Sequence, residues 1–156
     1  MSYSQDERLL KKILTNIINS TAGLKHAIII DDTGLTILSQ SKYSFSGEED
    51  ISVEKIGAIG GAVFSAGEEQ GLILGYGEIQ LQITEYTKGM IFSIKTGKGI
   101  LCLATDFNVQ IGFIRALIKK WAPKMGRLLE RYLKSSDQET INEELKELFS
   151  PDTIGF

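Results

Sequence analysis

The chain has one cysteine, one histidine, one tryptophan and two prolines among its 156 residues. A lone thiol, Cys102, cannot form an internal disulfide, which suits a reducing compartment. A lone imidazole, His26, has no second histidine and no cysteine pair to complete a zinc site, so it reads as structural or solvent-facing. Long apolar runs are also missing: nothing approaches the roughly 18 consecutive apolar residues of a membrane span. The opening Met1-Ser2-Tyr3-Ser4-Gln5-Asp6-Glu7 lacks the basic-then-apolar order of a secretion signal. The expectation is a soluble, cytoplasmic protein. With net charge −3 and a pI near 5.3, the molecule as a whole has no long-range attraction for nucleic acid or an anionic membrane.

Catalytic arrangements are scarce as well. Cys102 sits in the apolar run Ile100-Leu101-Cys102-Leu103-Ala104, where a thiol packs more readily than it reacts. Thr96-Gly97-Lys98-Gly99 is flanked by strand patterns and has no glycine five residues earlier, so it is not a phosphate loop. Gly75-Tyr76-Gly77 precedes a strand pattern, whereas a dinucleotide fingerprint follows one and opens a helix. The acidic pairs Asp31-Asp32 and Glu48-Glu49 fall in polar loops, where solvation gives no reason for a raised pKa. No catalytic residue, metal ligand or cofactor is nominated, and the expectation is a protein that is not an enzyme.

What is present is periodicity. Over 5–21, Leu9, Leu10, Ile13, Leu14, Ile17 and Ile18 repeat at three- and four-residue steps, the mark of an amphipathic helix. Gly23 stands where a left-handed residue usually ends a helix. Ala27-Ile28-Ile29-Ile30 and 35–39 read as strands joined by the turn Asp31-Asp32-Thr33-Gly34. A polar loop over 41–52 leads to Ser52 as a helix cap. Residues 78–84 alternate polar and apolar without a break, and 91–94 and 100–104 are short apolar strands between glycine-containing turns, giving a three-stranded meander. Asn108 is then a candidate cap for a long helix with Val109, Gly112, Phe113, Ala116 and Leu117 inward, widened by Ile111, Ile114, Ile118 and Trp121. Pro123 predicts a kink or break near Lys119 and Lys120.

The helix predicted from Val53 to about Gln70 is unusual. Val53, Ile56, Gly60, Val63, Phe64 and Gly67 share a face, Ala58, Ala62 and Ala66 form a second row, and Gly57 and Gly61 a third. Interior glycines at 57, 60 and 61 cost such a helix about 2–3 kcal/mol in isolation. Either another helix approaches closely over these small residues, or they let the helix lie close on its own sheet. Charge is also segregated near the end. Seven basic residues and one acid, Glu130, lie between Arg115 and Lys134; six acids and one base, Lys146, lie between Asp137 and Asp152. Residues 1–135 therefore read as the domain and 136–156 as an acidic amphipathic tail with a stripe of Ile141, Leu145, Leu148 and Phe149. The tail is expected to dock on its own chain, with a second subunit or a partner's groove as alternatives.

Helix, hairpin, small-residue helix, meander, long helix is an order that resembles the Roadblock, or dynein light chain, domain and its MglB-like regulators of small GTPases. The residues carrying the resemblance are Asp31-Asp32-Thr33-Gly34-Leu35-Thr36-Ile37, the helix over 57–67, the strand over 77–83, and Asn108-Val109-Gln110-Ile111-Gly112-Phe113-Ile114-Arg115. It covers about residues 9–134. The implied fold is α+β and profilin-like: a five-stranded antiparallel sheet between helices, in the order α-β-β-α-β-β-β-α plus a C-terminal acidic helix. The implied function is a non-catalytic homodimeric adaptor that binds a small Ras-like GTPase. The implied alternatives are a scaffold or dynein-type motor light chain without one, a partner of other Roadblock or longin proteins, or a small-ligand sensor. Self-association is assigned to Ile56, Gly57, Gly60, Gly61, Phe64, Glu78, Gln80 and Gln82, with Lys55, Glu68 and Glu69 as partner-binding rim residues.

Overall fold

In the computed structural model, which describes residues 2–42 and 52–149, a five-stranded antiparallel sheet separates one helix from two others. The elements are α1 (Ser2–Ile18), β1 (Leu24–Ile30), β2 (Thr36–Ser41), α2 (Val53–Leu74), β3 (Gln82–Tyr86), β4 (Gly89–Thr96), β5 (Gly99–Asp106) and α3 (Ile111–Leu148). Strand order is β2-β1-β5-β4-β3, so β2 and β3 are the edges. This is the α+β arrangement expected. The loop over 43–51, with Glu48, Glu49 and Asp50, and the chain from 150 onward lie outside the described residues.

The larger core lies between the sheet and the α1–α3 pair. Leu10, Leu14 and Ile17 from α1 meet Ile29, Leu101, Leu103 and Phe92 from the strands and Ile114, Ile118, Met125 and Leu129 from α3, all fully buried. Asp6, almost fully buried, accepts a 2.8 Å hydrogen bond from Arg131 and ties the start of α1 to α3. The opposite face holds a much smaller cluster, Ile28, Ile30, Phe64, Ile100 and Cys102, under α2. Apolar burial, at roughly 25 cal/mol per Å², therefore anchors α1 and α3 far more firmly than α2.

Several local expectations are corrected. Helix α1 ends at Ile18, and Gly23 is not left-handed; a Cβ there would run into the Val109 side chain, so the residue serves close approach. Leu9 is exposed. The inward stripe of α3 is Ile114, Ile118, Ala122, Met125 and Leu129, whereas Gly112, Phe113 and Ala116 are exposed. A helix apolar over more than half its girth does not fix its own phase, and packing decides it. The N-cap is Gln110, because Asn108 is held in the preceding turn, its N–H donating to Asp106 at 3.0 Å.

Helix α3 also runs through Pro123 without a break. Tertiary contacts hold it there: Thr96 Oγ1 donates to the Ala122 carbonyl at 2.6 Å, and Gly126 lies against Gly97 so closely that a Cβ on Gly126 would meet the Gly97 nitrogen at 2.7 Å. The helix continues across 135–136, so the acidic segment is an extension of α3 and no separate helix. Ile141, Leu145, Leu148 and Phe149 are all exposed, so over 141–149 the tail does not pack on the described part of its own chain.

Helix α2 is longer than its periodicity suggests, and β3 starts later. The helix includes Gly71, Leu72, Ile73 and Leu74 before closing on Gly75, which is left-handed at φ 69° and donates its N–H to the Gly71 and Leu72 carbonyls. Gly77 is left-handed too (φ 85°), and Glu68 accepts the Ile79 N–H at 3.1 Å. Residues 78–81 are thereby drawn against α2 and away from the ladder, so Glu78 and Gln80 are not strand residues. The pairing of β3 with β4 begins at Gln82 opposite Ser93.

Candidate functional site

The face of α2 turned away from the sheet is the most unusual surface of the molecule. No charged residue occurs from Ile56 to Gly67. At the start of the helix, the Ser52 hydroxyl caps it by accepting the Lys55 N–H at 3.3 Å, as expected. Outward lie Ala58, Ile59, Ala62, Val63 and Ala66, followed by Leu72, Ile73, Leu74 and Tyr76, with Ile73 at 77% exposure and Tyr76 at 80%. Contiguous exposed apolar surface of this kind marks an interaction site. Beside it, β3 has no strand on its outer side among the described residues and exposes Ile83 and Tyr86.

The β1–β2 turn braces this helix. Asp31 Oδ1 accepts from the Thr33 N–H at 2.9 Å, the Thr33 hydroxyl at 2.6 Å and the Leu35 N–H at 2.9 Å. Gly34 (φ 88°) passes so near α2 that a Cβ on Gly61 would meet its Cα at 3.3 Å. Burial pushes the Asp31 carboxyl up, but the hydrogen bonds from Thr33, Leu35 and Gly34 outweigh it and hold the pKa below its ordinary value.

The nominated self-association residues divide unevenly over this geometry. Ile56, Gly57, Gly60, Gly61 and Phe64 face the chain's own sheet: a Cβ on Gly57 would meet Thr36 Oγ1 at 2.5 Å, one on Gly60 would meet Cys102 Sγ at 3.3 Å, and Phe64 is 3% exposed. The glycines thus serve helix-on-sheet contact, the plainer of the two readings their chemistry allowed. Glu78 and Gln80 are exposed in the segment before β3, and Gln82 is in β3 with its side-chain amide beside Gly67. Among the rim residues Lys55 and Glu69 are exposed, whereas Glu68 is engaged with Ile79. Sequence reasoning missed Ile59, Leu72, Ile73, Leu74 and Tyr76. The signal was the alanine row at 58, 62 and 66, which fixes the outward direction once Gly57, Gly61 and Phe64 are set inward.

The remaining chemistry-bearing groups are spent on structure. Cys102 is buried, touches Ser93 Oγ at 3.3 Å, and burial pushes its thiol above the ordinary value despite that contact. His26 Nδ1 lies 2.7 Å from Ser41 Oγ, with a pKa lowered by burial and then by Lys25. Among the described residues no group of three or more metal-ligating side chains comes together, and no helix is long and apolar enough to cross a membrane.

Comparison with known proteins bears on the fold. No family model matches the chain. The proteins MJ0310 and MJ1340 of Methanocaldococcus jannaschii are each 32% identical over 108 residues, covering 69% of this chain and 90% of their own length. Among solved structures, the gliding protein MglB from Thermus thermophilus superposes with a TM-score of 0.69 at 15% identity, covering 83% of this chain and 91% of its own. A Roadblock/LC7 domain from Streptomyces avermitilis gives 0.64 at 13% identity, with 79% and 96% covered.

Proposed function

Because this chain belongs to a Roadblock-like domain family, we propose that it is a cytoplasmic, non-catalytic homodimeric platform that binds and regulates a small Ras-like GTPase. The observation that carries this reading is the uncharged outer face of α2 beside the open edge of β3. A helix with five interior glycines and only a small cluster beneath it is weakly held within one chain, and an exposed strand edge invites pairing. Packing α2 against its own copy, and β3 against its own copy, satisfies both. Ala58, Ala62 and Ala66 are small enough to let two helices approach to about 8 Å or less. The seam then centres on Ala62, Val63, Ala66 and Ile73, with Lys55 and Glu69 at its rim.

A GTPase docked across the paired helices would meet no nominated arginine finger, so any stimulation of hydrolysis comes from positioning the GTPase's own residues. The test is to measure hydrolysis and nucleotide exchange by the Ras-like GTPases encoded in the same genome, with and without this protein. Concentration-dependent binding and a changed rate in at least one is the expected result. No binding and no rate change in any would sink the regulatory reading and leave a scaffold or motor light chain.

One observation favours a ligand-sensing role as a second reading. An open cleft of about 580 Å³ lies between the segment before β3, the end of β4 and the middle of α3, lined by Ile79, Ile94, Lys95, Lys119 and Pro123. Native mass spectrometry of the freshly purified protein, finding a co-purified small molecule, would support it; bare protein mass would not.

A further inference from the structure

The charge segregation along α3 has a geometric consequence. Residues from Arg115 to Lys134 present Lys119, Lys120, Lys124, Arg127, Arg131 and Lys134 on the exposed side of the helix. Past residue 140 the same rod carries exposed Glu144 beside the apolar stripe Ile141, Leu145, Leu148 and Phe149, with exposed Glu143 further round the helix. Arg127 and Glu144 stand 17 residues apart on one continuous helix, about 25 Å along its axis. That exceeds the Debye length of about 10 Å at 0.1 M salt. Apart from the short stretch where they abut, near residue 135, the basic and acidic segments therefore cannot neutralise one another within a chain while α3 stays helical.

We propose that the acidic end of α3 docks on the basic outer face of α3 in a second copy of this chain, the two helices running antiparallel. An antiparallel arrangement brings each acidic end over the other copy's basic segment, so one twofold contact satisfies both at once. The stripe Ile141, Leu145 and Leu148, spaced four and three, lies on the aliphatic stems of the partner's lysines and arginines, whose charged ends reach the flanking glutamates. This contact is independent of the seam proposed for α2, because α2 and α3 lie on opposite faces of the sheet. Chains joined at both faces form assemblies larger than a dimer.

The experiment uses charge reversal on the full chain. One variant carries Glu143→Lys and Glu144→Lys; the other carries Lys124→Glu and Arg127→Glu. These four side chains are exposed, so circular dichroism should show both variants folded. By light scattering at about 0.1 M salt, the unaltered chain is expected to show twice the mass it shows at about 1 M, where the Debye length is about 3 Å. Each variant alone should show the lower mass at both salts, since like charges then face each other. Mixing the two should restore the higher mass, because the reversed tail of one meets the reversed face of the other, while the unaltered tail and face oppose one another as before. Repeating the series with Ala62→Arg added separates the two interfaces: loss of α2 pairing should leave the salt-sensitive doubling in place. A mass that ignores salt, or single variants that assemble as the unaltered chain does, or a mixture that fails to recover, overturns the proposal and assigns the stripe to a different protein.

Discussion

Single side chains show where the fold is strained and where it is tuned. The hydroxyl of Thr36 is buried under Gly57 and has no hydrogen-bond partner among the described residues. An unsatisfied buried donor costs about 1–3 kcal/mol, so Thr36→Val, close to isosteric, should raise stability by about 1 kcal/mol in urea denaturation. A decrease would mean that the hydroxyl has a role the geometry does not reveal. Acidification should weaken the fold in two stages. The folded pKa of His26 is below its ordinary 6.5 and that of Asp31 below its ordinary 3.8. A depressed folded pKa contributes stability above the unfolded value and loses it as pH falls through the folded one. The first loss therefore begins below about pH 6.5 and the second below about pH 4. Thermal melts of His26→Gln should lack the first stage, and those of Asp31→Ala the second.

At the scale of elements, the sequence was legible wherever a pattern had one interpretation. Asp31-Asp32-Thr33-Gly34 dictates the β1–β2 turn, because an Asp that bonds its own backbone and a left-handed Gly leave little choice. Strands β4 and β5 and the presence of a helix at α1, α2 and α3 follow from periodicity in the same way, but the extent of α2 and the phase and continuity of α3 do not. Legibility failed where tertiary contact overrides local signal. The alternation over 78–84 is a sound strand pattern, but Glu68 captures Ile79, and two left-handed glycines delay β3 to Gln82. The candidate site was half legible: the glycine and alanine rows were visible, but which row faces the sheet depends on Thr36, Gly34 and Cys102, residues far away in sequence. Pro123 is the clearest case. Its local effect is to break a helix, yet the Thr96 bond and the Gly97–Gly126 contact keep α3 whole. Pro123→Ala restores a missing N–H and removes a steric clash worth about 3 kcal/mol; part of that gain is offset because proline also restricts the unfolded chain. The variant should gain about 1–2 kcal/mol in chemical denaturation. No gain would show that the packing around Thr96 already absorbs the cost.

For the whole molecule, the uneven distribution of buried surface is the feature with the largest consequence. The α1–α3 side closes a core around Phe92 and Leu14, while α2 rests on a few side chains and presents Ile59, Val63 and Ile73 to solvent. If pairing of α2 supplies the missing burial, stability and dimerisation are linked, and the melting temperature should rise with protein concentration. Two neighbouring substitutions separate packing within the chain from packing between chains. Ala62 is exposed, so Ala62→Arg should leave the fold intact while placing a charge in the seam, converting the α2 dimer to a lower mass and removing the concentration dependence. Gly61 faces Gly34, so in Gly61→Ala a tight contact of the new methyl with the turn offsets the roughly 1 kcal/mol gain in helix propensity, and the net change in stability should be below about 1 kcal/mol, with self-association unchanged. Light scattering beside thermal melts reads both. If Ala62→Arg were still to associate through this face, the seam would have to lie along β3 alone, where the backbone edge offers pairing without the helix.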